Sequence, residues 1–308
     1  MKPERQGDNP RKVRVLVNPK SGLGTSFDSF WGLIEEQFGR ADADVTYQFS
    51  NDVADGRRKA ERAVRDGVDA VLVAGGDGMV HSIGGVLVGT PVALGVIPTG
   101  SGNGFARHFG IPLDVAGAVK ALARARRKAI DVGTVNGRPF FVTCSLAWDA
   151  AIARGFEAFP FRGIAPYVFA AAAQLMVYES QPIHAALDGA PAQVFSAPIL
   201  FTIANLTQYG GGAQIAPKAR ADDGHMELVV ALRPDLPLLL INIARLFNGT
   251  IDQLPQISTR RFRQMDLHRT KPTPIQMDGE LVEAGRDLEI RLRPKALSVL
   301  VPSVDPKT

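Results

Sequence analysis

Three stretches of this 308-residue chain set glycines among hydroxyl, amide and carboxylate side chains: "NPKSGLG" (18–24), "GGDGMVH" (75–81) and "PTGSGNGFAR" (98–107). Each follows a short apolar run, "VRVLV", "DAVLVA" and "VALGVI" respectively. Glycine lets backbone N–H groups come close to a ligand, and a helix starting behind such a turn favours negative charge. Any one of these loops reads as an ordinary turn. Three together, each ending a strand, make a concave row of amide donors suited to a polyphosphate. Lys20, Ser21 and Ser101 add a positive charge and two hydroxyls. Asp77 adds a carboxylate able to work through magnesium or to accept a proton. "GSGNG" is not a dinucleotide fingerprint, which belongs behind the first strand with an acidic residue about 20 positions on. The first strand here ends in "NPKSGLG", so a nicotinamide-dependent dehydrogenase is disfavoured.

The elements that must position these loops alternate in type. Behind "VRVLVNP" (13–19), Phe27, Phe30, Ile34 and Phe38 fall at helical spacing, with Ser26 available as a cap. "ADVTYQF" is a second strand, "DGRRKAERAVRDG" (55–67) a charged helix ended by Gly67, and "DVAGAVKALARARRKA" (114–129) a further helix. Strands alternating with helices imply βαβ units and a parallel sheet covered on both faces. Ligands bind beyond the carboxyl ends of such strands, where all three loops lie. The pattern then changes. Asn136-Gly137, Asp188-Gly189 and Asp278-Gly279 are hairpin turns between strand-like runs, and "ILFTIANL", "HMELVVAL" and "LEIRLRPKALSVLVP" read as strands. The expected architecture is a doubly wound nucleotide-binding α/β domain (12–130), then an antiparallel β-sandwich domain (131–300). The final strand or tail is expected to pack back on the first domain. Helices are expected at "FRGIAPYVFAAAAQLM" (161–176) and "LPLLLINIARLF" (236–247).

The 35 basic and 31 acidic side chains leave +4, too little to argue for nucleic acid, yet not repellent to an anionic nucleotide or membrane. A single cysteine, Cys144, allows no internal disulfide and fits a reducing compartment, the cytoplasm. "MKPERQGDNPRK" lacks the apolar core of a signal peptide. "IAPYVFAAAAQLMV" (164–177) is shorter than the ~20 residues of a spanning helix and contains Pro166.

"NPKSGLG", "GGDGMVHSIGGVL", "PTGSGNGFARHFGIP", "IANLTQYGGG", "APKARADDGHMELVV" and "QMDGE", in this order, resemble the diacylglycerol kinase catalytic-domain family. That family includes bacterial soluble lipid kinases, diacylglycerol kinases and sphingosine kinases. The resemblance runs from about residue 12 to 300. It implies an ATP- and Mg2+-dependent lipid kinase, with ATP and lipid meeting in a cleft between the two domains. The nucleotide contacts it implies are Asn18, Lys20, Ser21, Gly22, Gly24 and Ser50; Gly75, Gly76, Asp77, Gly78, Met79, Val80 and His81; and Gly100, Ser101, Gly102 and Asn103. Asp223 resembles the family's magnesium ligand, beside the backbone carbonyls of Arg220 and His225, whereas Asp222 reads as a solvated turn residue. Glu280 matches the acceptor of the lipid hydroxyl proton. Asp77 is a second candidate base, and Asp278 stands beside Glu280 as a further catalytic candidate. By sequence alone, "MDGE" reads first as a hairpin turn; the resemblance gives it a catalytic reading.

The chain departs from the family pattern at Met79, His81 and Ser82, where many bacterial members have threonine, asparagine and glutamate. Gly104 follows Asn103 where an aspartate is common, and Ala147 stands where a glycine is usual. These departures leave the lipid unnamed and keep two rivals open. One is an NAD kinase-like kinase of a soluble acceptor, which normally has threonine after GGDG and an "NE" motif. The other is a nucleotide-binding regulatory protein without catalysis. The partners implied are a lipid substrate and, by transient contact, the inner membrane surface, with a homodimer left open. "RRFRQM" (260–265) and "RARRK" (124–128) are basic enough to approach anionic headgroups at about 1 kcal/mol per cation, though each alone reads as a solvated face.

Overall fold

Four apolar runs pair in parallel as Lys12–Val17 (β1), Asp44–Phe49 (β2), Ala70–Gly75 (β3) and Ala93–Pro98 (β4), in the order β2-β1-β3-β4. Every residue of β3 and β4 is buried, as a parallel strand covered on both faces requires. The computed structural model describes residues 12–20, 22, 26–148, 178–232, 242 and 244–303. Helices Phe27–Gly39 (α1), Val53–Arg65 (α2), Asp77–Leu87 (α3), Gly104–His108 (α4) and Val115–Ala123 (α5) alternate with or follow these strands. Ser26, Asp52 and Asp114 cap α1, α2 and α5 by accepting the amides of Ser29, Asp55 and Gly117. Phe30, Ile34 and Phe38 are buried at the expected spacing, whereas Phe27 stacks on Tyr47 and Phe49 of the edge strand β2.

The helix expected over 114–129 is corrected. α5 stops at Ala123, and Arg126–Val135 is a strand, β5. Nothing in "RARRKA" breaks a helix locally. Pairing of β5 with neighbouring strands, and the burial of its last six residues, overrides that helix propensity.

The remaining strands pair antiparallel, among them Arg138–Phe140 (β6) with β5, and Gln208–Gly210 (β11) with Ala213–Gln214 (β12). Leu200–Ala204 (β10), Met226–Ala231 (β13) and Ile257–Phe262 (β14) join Thr143–Ser145 (β7), Ile275–Met277 (β16) and Glu280–Val282 (β17) in a sheet of order β14-β13-β10-β7-β16-β17. The facing layer includes Ile183–Leu187 (β8), Gln193–Phe195 (β9), Gln264–Arg269 (β15) and the first half of Asp287–Val301 (β18). Its core takes Phe140, Phe201, Ile203, Phe262, Met265 and Ile290 from both layers. Asn136-Gly137 and Asp188-Gly189 turn with positive φ at both residues, the primed geometry that matches strand twist. Two compact units result, one of residues up to Ile130 together with those from Lys295 onward, the other Asp131–Pro294. In the first, the end of β18 lies parallel to β4, with Val299 opposite Leu94. The helix expected over 161–176 lies outside the described residues. So does most of 236–247, of which Ala244–Phe247 is helical.

Candidate functional site

In the first unit, β1, β3 and β4 are adjacent, so their C-terminal loops share one rim. The Asn18 amide donates to the Ala74 carbonyl at 3.1 Å, and the Thr99 amide to the Gly75 carbonyl at 3.1 Å. The second and third loops meet backbone to backbone. A Cβ on Gly100 would lie 2.7 Å from Gly76 Cα, and one on Gly76 would lie 3.3 Å from Gly100 Cα. Only glycine at position 100 permits that approach. Gly76 is the N-cap of α3 and brings no capping side chain, so the first-turn amides face outward from the helix end without one.

Polar side chains hold this rim in shape. Asp77 accepts the amides of Gly104 (3.2 Å) and Phe105 (3.4 Å) at the start of α4. Asn103, in the left-handed region at φ 52°, closes the third loop on itself. Its Nδ2 donates to the Gly100 carbonyl at 2.7 Å, and its Oδ1 accepts the Gly100 amide at 3.2 Å. Arg107 Nε donates to the Gly102 carbonyl at 3.1 Å. Asn18 Oδ1 accepts the Lys20 amide at 2.9 Å, and Ser101 is exposed at the loop tip.

Some implied contacts turn inward instead. Val80 is buried in the core and its amide donates to the Gly76 carbonyl at 3.1 Å, so neither end of it is open to a ligand. Ser50 is also buried, with its hydroxyl donating to the Asp52 carbonyl at 3.1 Å. Met79 folds its side chain over Gly75, and His81 is half-buried on α3. Gly22 and Gly78 are described, whereas Ser21 and Gly24 lie outside the described residues.

In the second unit the "MDGE" turn joins β16 to β17, with Met277 opposite Glu280. Asp278 is buried and accepts three amides, from Phe141 (2.8 Å), Val142 (2.7 Å) and Thr143 (3.1 Å). Its carboxylate, expected from the sequence as a further catalytic candidate, ties β16 to the segment entering β7. Glu280, two residues on, is exposed and makes no hydrogen bond or ion pair with the described residues.

The turn carrying Asp223 is pinned from below. Asp131, 1% exposed, accepts the Gly224 amide at 2.7 Å and donates its own amide to Ala221 at 2.7 Å. Asn205, fully buried, donates to the carbonyls of Asp131 (3.0 Å) and Phe141 (2.9 Å). Above them sits Arg261. On β14 it lies opposite Glu227 of β13, with Nε 3.5 Å from Oε1, and its Nη2 pairs with Asp223 Oδ2 and lies 3.1 Å from His225 Nδ1. Burial pushes the Glu227 carboxyl above its ordinary range; the Arg261 guanidinium pulls the other way, and Asp223 adds to the rise.

Of the implied magnesium set of Arg220, Asp223 and His225, the Asp223 carboxylate is engaged within the protein. Asp223 Oδ2 is taken by Arg261, Oδ1 by the His225 amide at 3.1 Å, and its main-chain oxygen by His225 Nδ1 at 2.9 Å. No three His, Cys, Asp or Glu side chains gather as a ligand set among the described residues. The cation of this centre is a guanidinium. Sequence reasoning missed Arg261, Glu227, Asp131 and Asn205; an aspartate inside the apolar run "AIDVGTV" was the one local signal.

Two family models cover the chain. Residues 12–135 match the diacylglycerol kinase catalytic domain, and residues 143–301 match the YegS C-terminal NAD kinase beta sandwich-like domain. A diacylglycerol kinase of Mycobacterium tuberculosis is 31% identical over 304 residues, which cover 94% of this chain and 95% of that protein. The chain belongs to the diacylglycerol kinase catalytic-domain family. It is a lipid kinase, and the kinase family implies ATP as phosphate donor. A Pseudomonas syringae protein described as "Probable lipid kinase YegS-like" is 28% identical, covering 96% of this chain and 95% of its own. Two solved structures from Bacillus anthracis align at TM-scores of 0.80 and 0.73, each 20% identical. They cover 98% and 96% of this chain and 98% of each partner; the second is described as a diacylglycerol kinase, and the likeness shows the fold. No helix among the described residues of this lipid kinase is long and apolar enough to cross a membrane.

Proposed function

We propose that this lipid kinase transfers the γ-phosphate of Mg2+-bound ATP to a lipid hydroxyl, that of diacylglycerol, sphingosine or a related lipid. The observation that carries the reading is the contact of Gly76 with Gly100, which draws two amide-rich loops into one rim. Phosphoryl transfer asks a protein mainly for positioning and charge stabilisation, plus a group that orients the attacking hydroxyl. The rim supplies the first, with Lys20 as its positive charge. Asp77 and Asn103 act as positioning residues, since their side chains hold the third loop. The lipid oxygen bonds to the γ-phosphorus while the bond to the β-bridging oxygen breaks. ADP leaves, and the hydroxyl proton passes to the Glu280 carboxylate. The magnesium arrives with the nucleotide as part of the substrate, because the Asp223 centre already holds Arg261.

The enzyme works in the cytoplasm and touches the inner membrane surface reversibly, where its acceptor resides. A homodimer is tested by sedimentation of the purified chain. The decisive experiment incubates radiolabelled ATP and Mg2+ with diacylglycerol, sphingosine, ceramide, monoacylglycerol and phosphatidylglycerol, with NAD as a soluble acceptor. Label in one lipid and none in NAD is the expected result. Label in NAD alone identifies a soluble-acceptor kinase. ATP binding by thermal shift with no label in any acceptor leaves a nucleotide-binding regulator.

A further inference from the structure

The two basic runs of the sequence have different fates. In "RRFRQM", Arg260 donates to Gln193 and Arg261 pairs with Asp223. In "RARRK", Arg127 donates to the carbonyls of Pro91 and Asp69. Arg124 and Arg126, with Lys120 one turn back on α5, make no side-chain hydrogen bond or ion pair with the described residues. They converge on one concavity. A hollow of about 460 Å³ is lined by Arg124, Arg126, Gln37, Arg40 and Ser303. An adjoining one of about 440 Å³ shares Gln37, Arg40 and Arg124 and adds Lys120 and Glu36. Ser303 Oγ donates to the Arg124 carbonyl at 2.7 Å, which fixes one wall.

Among the described residues, four cations face this hollow and one carboxylate opposes them: Glu36 pairs with Arg40 at 2.6 Å. Arg40 caps the C-terminus of α1 and Arg124 that of α5, and each helix C-terminus contributes about half a negative charge. Roughly two positive charges therefore stay uncompensated. Like charges gathered around a concave surface repel, and an anion in their midst turns that repulsion into attraction. Guanidinium forks match phosphate oxygens in pairs, and a dianion would balance the charge. The helices run antiparallel to their strands, so this hollow sits at the sheet edge opposite the glycine rim.

We propose that Arg40, Lys120, Arg124 and Arg126 form a second anion site, selective for a phosphomonoester and separate from the nucleotide loops. A phosphomonoester headgroup is also what a lipid kinase makes, so the site would hold the enzyme on membrane already carrying product; that choice of probe rests on the lipid kinase reading, whereas binding itself is read without turnover. The full chain is tested without ATP against inorganic phosphate by calorimetry. In parallel it is sedimented with phosphatidylcholine vesicles containing phosphatidate or, at equal charge, phosphatidylglycerol. Arg124→Glu with Arg126→Glu should weaken binding at least 10-fold, Arg124→Lys with Arg126→Lys should retain most of it, and activity on micellar lipid should not change. The control, Arg57→Glu with Arg65→Glu, alters net charge equally on exposed α2 positions and should bind as the parent does. Binding of phosphate and phosphatidate supports the site. Phosphate alone supports it with a soluble ligand, and phosphatidate alone supports it with a lipid one. Equal binding to phosphatidylglycerol, equal loss in the control, or no binding of either probe overturns it.

Discussion

Two carboxylates separated by one glycine have opposite fates in "MDGE". Asp278 faces inward to three amides, and Glu280 is exposed with no hydrogen-bond or ion-pair partner among the described residues. Two predictions follow from that contrast. Glu280→Gln should lower kcat by about 10²–10⁴-fold with an unchanged melting temperature, since it removes a proton acceptor and no contact. A Glu280→Gln enzyme turning over at the parent rate would exclude Glu280 as base. Asp278→Ala should instead destabilise the fold, because each of three buried amides left unpaired costs about 1–3 kcal/mol. Chemical denaturation reads that loss, and a stability within about 0.5 kcal/mol of the parent would contradict it. The sequence supplied the candidates but not the choice. Asp278 lies in the turn and Glu280 begins the next strand, and only the neighbouring segment 141–143 decides which of the two meets buried amides.

At the level of elements, the glycine rim works because β3 and β4 are neighbours whose loops touch. Gly100→Ala would drive its Cβ to 2.7 Å from Gly76 Cα and push the loops apart. The expected outcome is a KM for ATP raised at least 10-fold, as about 1.4 kcal/mol of positioning is lost. Steady-state kinetics at varied ATP checks it, and a normal KM would show that the contact does not shape the nucleotide site. Across β13 and β14, Glu227 is a buried carboxyl whose pKa is raised from 4.5, first by desolvation and with Arg261 opposing. An acid whose folded-state pKa lies above its unfolded one contributes stability fully present below the unfolded value. That contribution fades as pH rises through the folded value. The stability of the parent relative to Glu227→Gln should therefore fall as pH rises from about 4.5 toward neutrality. A difference that grew with pH would mean that the ion pair outweighs desolvation. Neither glycine contact nor carboxyl burial was legible in the sequence, since both depend on which strands lie side by side. α5 teaches the same lesson, because "RARRKA" reads as helix until a sheet claims it.

For the whole molecule, the Arg261 centre has a consequence for metal dependence. Arg261 already pairs with both Asp223 and Glu227, and the fold is expected to hold without a divalent ion at that point. Chelation of the nucleotide-free protein should leave its melting temperature unchanged, whereas Arg261→Gln should melt lower and recover on adding Mg2+. A fall of several degrees on chelating the parent protein would show a resident ion instead. In the proposed reaction Mg2+ enters turnover on ATP.

The sequence by itself determined the two-part architecture, the hairpins and the family, because apolar periodicity, Asn-Gly and Asp-Gly turns and ordered motifs are local properties of the chain. Only the tertiary structure decided which polar groups remain free. Asp77 reaches Gly104 across 27 residues, Asp131 reaches Gly224 across 93, and Asp278 reaches Phe141 across 137. A carboxylate's role depends on whether distant amides already fill it, and chain-distant neighbours leave no mark on local spacing.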